Sequence, residues 1–443
     1  MSVLAVPRSI ANSCVSEKIP ISHFFIFAIQ HIIFLPLASI SHDTFHIVTD
    51  KKSDSLRIPR QRSEHYVTQH VSHKSLQIDG YYFAKIGKRY GQFARVFIFF
   101  VNFVNKILPM NTKSSPRCAV LGYGSWATAI VKTLTFNRHH VDWLVLNEDI
   151  RESLITRSRN SKYLPWCYID SDYFTVSADI NEVVREADIV ILAMPSAFMK
   201  KFLEPLTESL KDKIVVSAVK GIIPGDYLTI VEHMNKYYDV PMEKLAVVTG
   251  PSHAEEVGQL QLSYLTVASE SMETAEKVRH TLANEYFRCS ISTDVLGVEA
   301  AAIMKNIYAV AVGIAVGLRY GDNFLAVLIA GCAAEMKRFI DEAIKMDSRD
   351  INSAAYMGDL LVTCYSPLSR NRRLGTLMGK GCSMKSALNE MTMVAEGYYA
   401  AECIRRSSMR RNIEMPIADM VWSVLYNNVS AREAMNSLIL ILK

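Results

Sequence analysis

The chain has 443 residues, half of them hydrophobic, with a formal charge of +5, which gives room for two or three domains and a sizeable core. The charge is mild and no run of lysine or arginine is long enough to form a nucleic-acid patch, so nucleic-acid partners are not expected. The eight cysteines are widely separated and make no CxxC pair, which points to a reduced, cytoplasmic protein with no metal site.

Residues 1–110 differ in character from the rest. Phe24 to Ile40 is strongly apolar, but it contains Gln30, His31 and Pro36 and is short for a membrane span. Only Arg8 and Lys18 precede it, and no small-residue cleavage site follows. Seven of the twelve histidines fall before residue 110, without regular ligand spacing. Phe93 to Leu108 carries Arg95, Asn102, Asn105 and Lys106 and reads as an amphipathic helix for a core or a membrane surface. The expectation is an extension dispensable for the chemistry, with weak membrane association, and a compact domain starting near Met110.

From Arg117 the pattern sharpens. RCAVLGYGSWATAIVKTL is a short apolar strand, a glycine turn and a helix opening, with Gly122, Gly124 and Ala127 in GxGxxA spacing. Gly122 serves the tight turn, Gly124 leaves space for a pyrophosphate, and Ala127 lets helix and strand approach, so a dinucleotide is expected at the helix N-terminus. A second strand, Val141 to Leu146, ends at Asn147, where an acidic residue would grip the adenine ribose; Glu148 and Asp149 follow, and no arginine stands there for a 2′-phosphate. Further strands end at characteristic places. Ile189 to Ala193 runs into Pro195 and Ser196, VVSAVKG into Lys220 and Gly221, and AVVTGPSHAEEV into Gly250, Pro251 and Ser252, with Ser252 the expected N-cap of a helix holding Glu255 and Glu256. Strands alternating with helices predict an α/β fold: an N-terminal Rossmann-type doubly wound parallel sheet over 111–296, then an all-α domain over 297–443.

Val298 to Leu318 is alanine-rich, with Glu299, Lys305 and Asn306 its only charged or amide side chains. Its length and apolarity admit a membrane span, but a lysine near its centre argues for a buried helix around a partnered site. Helices are then predicted over Asn323 to Lys345, Met384 to Met391, Val394 to Arg406, Pro416 to Tyr426 and Ala431 to Leu442. Between them, YMGDLLVTCYSPLSRNRRLG reads as a polar segment in which Gly358 and Asp359 form a turn beside the interior lysine. In the same segment Arg370 and Asn371 stand at a loop-to-helix junction suited to a phosphate.

Taken together these residues resemble the NAD(P)-dependent glycerol-3-phosphate dehydrogenases, above all the bacterial type, over about residues 116 to 440. The motifs are GYGSWATA at 122–129, VKG at 219–221, GPSHAEE at 250–256, KN at 305 and 306, GDLLVTC at 358–364, SRNRRLG at 369–375 and VAEG at 394–397. The resemblance implies reversible reduction of dihydroxyacetone phosphate to sn-glycerol 3-phosphate for phospholipid synthesis, with NAD or NADP, in a homodimer. It implies Lys305 as general acid/base, with Lys220, Asn306, Asp359 and Thr363 completing the catalytic pocket. Substrate is implied to meet Lys220, Lys305 and Asp359 together with Gly250, Ser252, Ser369, Arg370 and Asn371. Cofactor is implied to meet Gly122, Gly124, Ser125, Trp126, Ala127, Lys220, Ala254, Arg370, Val394 and Glu396. The chain departs from the pattern where the family carries an arginine or histidine near the end of the second strand, here Leu146 and Asn147. It departs again where an arginine-glycine pair becomes Ala330 and Gly331.

Two other readings stand beside this one. The first is a different beta-hydroxyacid-type dehydrogenase of the same fold, and the second is a non-catalytic dinucleotide-binding or membrane-associated protein. SRNRR together with VKG and GPSHA favours the glycerol phosphate family over the first, and the presence of Lys305, Lys220 and Asp359 argues against the second. Hydride transfer to a ketone builds alkoxide character that a nearby ammonium stabilises, while a remote phosphate supplies binding energy that orients the carbonyl.

Overall fold

The computed structural model describes residues 115–346, 348–391 and 394–442. The expectations for residues 1–110 lie outside them. The chain divides between Ile107 and Leu108 into two units, and the described residues belong to the second.

Eight strands form one sheet: β1 (Cys118–Leu121), β2 (Val141–Leu144), β3 (Phe174–Ser177), β4 (Ile189–Leu192), β5 (Ile214–Ser217), β6 (Leu245–Thr249), β7 (Ser263–Ala268) and β8 (Phe287–Ser292). Their order is β3-β2-β1-β4-β5-β6-β7-β8. The order reverses between β1 and β4, which puts the turn at Gly122 at the switch point where ligands of such sheets collect. Every pair is parallel except β6 and β7, which is a correction to the all-parallel expectation. The residues between them form only the five-residue helix α6 (Ala254–Gly258, numbered in the order given below), too short a crossover to return the chain for parallel entry.

The central strands β1, β4, β5 and β6 are buried on both sides because both sides are covered. Along β1, Cys118 and Val120 join one core while Ala119 and Leu121 join the other. The first core packs against α1 (Ser125–Phe136), α2 (Glu148–Arg157) and α7 (Met272–Leu282) through Ile130, Leu134, Ile150, Leu154, Val278 and Leu282. The second packs against α3 (Ile180–Arg185), α4 (Met199–Leu203) and α5 (Ile230–Tyr238), and it continues without a break into the helices that follow the sheet.

Those helices are α8 (Val295–Gly317), α9 (Asp322–Ala343), α10 (Asp359–Tyr365), α11 (Arg370–Gly379), α12 (Met384–Glu390), α13 (Glu396–Arg411), α14 (Pro416–Tyr426) and α15 (Ala431–Ile439). The α8 helix is buried from Gly297 through Ala315. It is long and apolar enough to cross a membrane, but packing by α9, α10, α11, α13 and α14 accounts for its apolarity. Its closest neighbour is α11. A Cβ on Gly313 or Gly317 would strike the carbonyls of Arg372 and Thr376, and one on Gly375 or Gly379 would strike those of Val310 and Ile314. Four glycines therefore let two backbones touch, and this contact carries the start of α11 to Asn306.

Four local expectations change. Gly358 and Asp359 are not a turn: a π-helical turn over Ala354–Gly358 runs straight into α10, whose first residue is Asp359. The polar segment expected between the helices is itself largely α10 and α11. Ser252 is not a helix N-cap, since that place belongs to His253 and Ser252 donates instead to the Gly250 carbonyl. The helix expected from Val394 starts at Glu396 and runs on to Arg411.

Candidate active site

Helix α8 lies against the carboxyl ends of β5 and β6 and delivers Lys305 and Asn306 there. Lys305 is 3% exposed, so its ammonium has lost nearly all its water and requires partners. Its Nζ donates to Asp359 Oδ1 at 2.5 Å and to Thr363 Oγ1 at 3.0 Å. Asp359 and Thr363 are one turn apart on α10 and so share a face. The other oxygen of Asp359 accepts from Thr249 Oγ1 at 3.0 Å and from Lys220 Nζ at 3.4 Å. Lys220 also donates to the Gly250 carbonyl at 3.0 Å and to Ser252 Oγ at 3.2 Å, and its ammonium lies 5.6 Å from the centre of the Trp126 ring. One buried carboxylate thus holds two ammoniums.

A chain of amides frames this pocket. Asn306 Nδ2 donates to the Lys220 carbonyl at 2.6 Å, Asn371 Nδ2 donates to Asn306 Oδ1 at 2.8 Å, and the Gly397 amide donates to Asn371 Oδ1 at 2.9 Å. The β5 end, α8, α11 and α13 are thereby locked at one place. Burial pushes the Lys305 ammonium down to about 7, against the pull of Asp359 in the other direction. Burial also acts to raise Asp359, but Lys220 and Lys305 overcome it and hold the carboxyl below its ordinary value.

The glycine turn faces the same edge. Gly122 has φ +124°, and a Cβ there would meet the Ala193 carbonyl, so the turn between β1 and α1 tolerates no side chain. A Cβ on Gly124 would meet nothing, and Gly124 caps α1 with no side-chain bond. The first amides of α1, from Ser125 and Trp126, are left to a ligand, which is the fit a pyrophosphate requires. Trp126 donates its Nε1 to the Ala218 carbonyl at 3.1 Å, tying α1 to the segment leading to Lys220. Ala127 is fully buried, and α6, which begins at Ala254, packs on α1. A cavity of about 420 Å³ opens at the ends of β2 and β3, lined by Leu144, Leu146, Ile180, Phe202 and Pro205, with Asp179 and Lys201 beside them. Its lining includes none of the residues around Lys305. At the nominal ribose position Asn147 spends its side-chain oxygen on the Ile150 amide, capping α2.

Glu396 is brought to the site by bonds to Ser196: its carboxylate accepts from the Ser196 amide at 3.0 Å and hydroxyl at 2.5 Å. Burial raises this carboxyl. Ser369 caps α11 through the Arg372 amide at 3.3 Å, leaving Arg370 exposed at the helix N-terminus. Among the described residues Arg370 pairs with no carboxylate. Val394 precedes α13 and, among the described residues, makes no bond that places it among these groups. Thr249 and Ser196 were not predicted as site residues. A signal existed for both, because each hydroxyl sits at or just beyond the end of a strand at the carboxyl edge.

Residues 117–275 match the N-terminal part, and residues 294–436 the C-terminal part, of the NAD-dependent glycerol-3-phosphate dehydrogenase family. A glycerol-3-phosphate dehydrogenase [NAD(P)+] of Agathobacter rectalis is 36% identical over 328 residues, 73% of this chain and 96% of the relative. One from Bacillus cereus is 34% identical over 328 residues, 73% and 95% respectively. The crystal structure of glycerol-3-phosphate dehydrogenase from Coxiella burnetii superposes with a TM-score of 0.68 at 26% identity, covering 73% of this chain and 99% of that one. The chain belongs to the NAD-dependent glycerol-3-phosphate dehydrogenase family.

Proposed function

We propose that Lys305 is the general acid/base of this enzyme and that Asp359 and Lys220 hold it in place. As a family member the chain is an NAD(P)-dependent oxidoreductase that interconverts dihydroxyacetone phosphate and sn-glycerol 3-phosphate. The observation that carries the residue assignment is the buried carboxylate of Asp359, with Lys305 Nζ at 2.5 Å and Lys220 Nζ at 3.4 Å. Bound nicotinamide supplies or accepts the hydride at the carbonyl carbon. In reduction Lys305 gives a proton to the carbonyl oxygen, and in oxidation it takes one from the hydroxyl. Thr363 and Asn306 orient the lysine and the strand-end segment. Gly250 and Ser252 act on substrate through Lys220, which they fix. Arg370, the free N–H of Asn371 and the α11 amides hold the phosphate, a dianion that a helix N-terminus favours. Gly122, Gly124, Ser125, Trp126 and Ala127 would cradle the coenzyme, with Ala254, Val394 and Glu396 bordering it.

The same reading divides the chain into an extension over 1–110, a coenzyme domain over 111–296 and a helical domain over 297–443. The end of the sheet at Ser292 and the start of α8 at Val295 support a boundary near residues 296 and 297. It further takes the protein to be a cytoplasmic homodimer, which sedimentation of the purified chain tests.

The deciding assay follows NADH and NADPH oxidation by the full chain with dihydroxyacetone phosphate, beside a non-phosphorylated beta-keto acid. Turnover with the phosphorylated ketone is expected. No turnover with either coenzyme would overturn the reading.

A further inference from the structure

The N-cap of α8 is Asp294, whose Oδ1 accepts from the Gly297 amide at 3.1 Å in the ordinary manner of a cap. The remaining bonds of this carboxylate are not ordinary. Arg349 grips it as a fork, Nε to Oδ2 at 2.5 Å and Nη2 to Oδ1 at 3.2 Å, and the Tyr356 hydroxyl donates to Oδ2 as well. All three side chains are almost wholly buried. Arg349 spends its other donors on Asp341 Oδ1 at 2.7 Å, near the end of α9, and on the Ile344 carbonyl at 3.2 Å. One guanidinium therefore ties the start of α8, the end of α9 and the connector that leads on to Asp359.

A serine would cap α8 without burying a charge, and a buried ion pair is a costly way to stabilise a helix end. What the ion pair adds is register. Tyr356 lies in the π-helical turn Ala354–Gly358, which packs on α8 and passes directly into α10 at Asp359. No flexible loop separates the hydroxyl that bonds Asp294 from the carboxylate that bonds Lys305. Along α8 the two anchor points, residues 294 and 305, are separated by about 16 Å of rigid helix. We infer that Asp294, Arg349 and Tyr356 form a clamp that sets Asp359 against Lys305, so that these three are positioning residues for the proton-transfer group. The inference rests on the proposed role of Lys305.

The groups around Lys305 are Asp359, Thr363 and Cys364 on α10, Lys220 beyond β5 and His253 before α6. Of these, Asp359 is the charged group that favours the ammonium, and the Thr363 hydroxyl accepts one of its bonds. If the clamp loosens, Asp359 supports the charge less, and Lys305 loses its proton at lower pH.

The test uses the full chain and three variants. Asp294→Asn keeps a good helix cap but abolishes the ion pair, Tyr356→Phe removes one hydroxyl and keeps the ring, and Arg349→Met removes the fork. For each, kcat, KM for ketone and coenzyme, the pH profile of reduction and the melting temperature are measured. The clamp predicts a loss in kcat of roughly tenfold to a hundredfold, as for a small misplacement of a reacting group, with KM for the coenzyme unchanged. It also predicts that the alkaline limb moves to lower pH in Tyr356→Phe, the variant least able to disturb folding. A lowered melting temperature with wild-type kcat and an unmoved limb would reduce the cluster to a structural staple and overturn the inference. A wild-type profile with no alkaline limb, together with an active Lys305→Ala variant, would instead remove the role of Lys305 and the clamp with it.

Discussion

Helix α8 borders two buried carboxylates that meet opposite fates. Near its start, Glu299 is fully buried and accepts from the Ile230 amide at 3.1 Å, the Val231 amide at 3.4 Å and Ser217 Oγ at 3.4 Å. It accepts from the first two amides of α5, whose N-cap is Thr229, and its hydrogen-bond partners are dipoles. Beside the middle of the same helix, Asp359 is just as buried but has two ammoniums for neighbours. Burial pushes Glu299 up to about 7, because amides and a hydroxyl offset only part of the lost hydration. The same burial fails to raise Asp359. Depth alone therefore does not mark a functional group: what separates an architectural acid from the one in the proposed active site is whether full charges have been assembled around it.

The largest effect is expected where that assembly is broken at its centre. Lys305→Ala removes the proposed proton donor and should lower kcat by about 10² or more, measured by coenzyme oxidation with dihydroxyacetone phosphate. A rate near normal would show that the charged pocket is as architectural as Glu299. Asp359→Asn comes next and keeps the shape. The Lys305 ammonium loses its carboxylate, so the pH limb of reduction should move below about 7, with kcat at neutral pH reduced roughly tenfold. If the limb stayed in place, Asp359 would be a scaffold for the helices and nothing more.

How much of this could be read beforehand depends on how far apart the partners lie. The glycine turn was legible because Gly122, Gly124 and Ala127 are near neighbours, and a tight turn needs those residue types whatever else the chain does. Lys305 was legible because a lysine inside an apolar helix is an anomaly that calls for a partner. Arg370 stood out through its basic neighbours. In contrast, Thr249 meets Asp359 across 110 positions and Ser196 meets Glu396 across 200, with no local period to announce either. The antiparallel entry of β7 and the π-helical turn before Asp359 follow from how much chain is available between fixed points, which a motif does not encode. The fold class follows from alternation and strand length, whereas the junction of four elements at Asn306 and Asn371 exists only once distant segments have packed together.

Arg370→Ala tests the edge of the charged pocket rather than its centre. A charge-assisted bond to phosphate contributes about 1.5–3 kcal/mol, so KM for dihydroxyacetone phosphate should rise at least tenfold while kcat changes little. The split between the two constants is the measurement. Equal loss in both would place Arg370 nearer the reacting carbon than the start of α11 permits.

The smallest effect is expected at Glu299, and it probes the other side of the comparison. Its folded pKa lies above its ordinary value, so its contribution to stability is fully present below about 4.5 and is lost as pH rises through about 7. Glu299→Gln keeps an oxygen for the Ile230 and Val231 amides but cannot ionise. The melting temperature of the wild-type chain should therefore fall more steeply between about pH 5 and about pH 8 than that of the variant. Some slope should survive in the variant, since Glu335, which accepts from the Ile417 and Ala418 amides at 2.8 and 2.9 Å, is also raised to about 7 by burial. Catalysis should hardly change, because Glu299 and Lys305 are six residues apart on a rigid helix and share no bonded partner. A variant with the wild-type slope and a damaged kcat would mean that the two carboxylates are coupled through α8, and that the division between architectural and catalytic acid had been drawn in the wrong place.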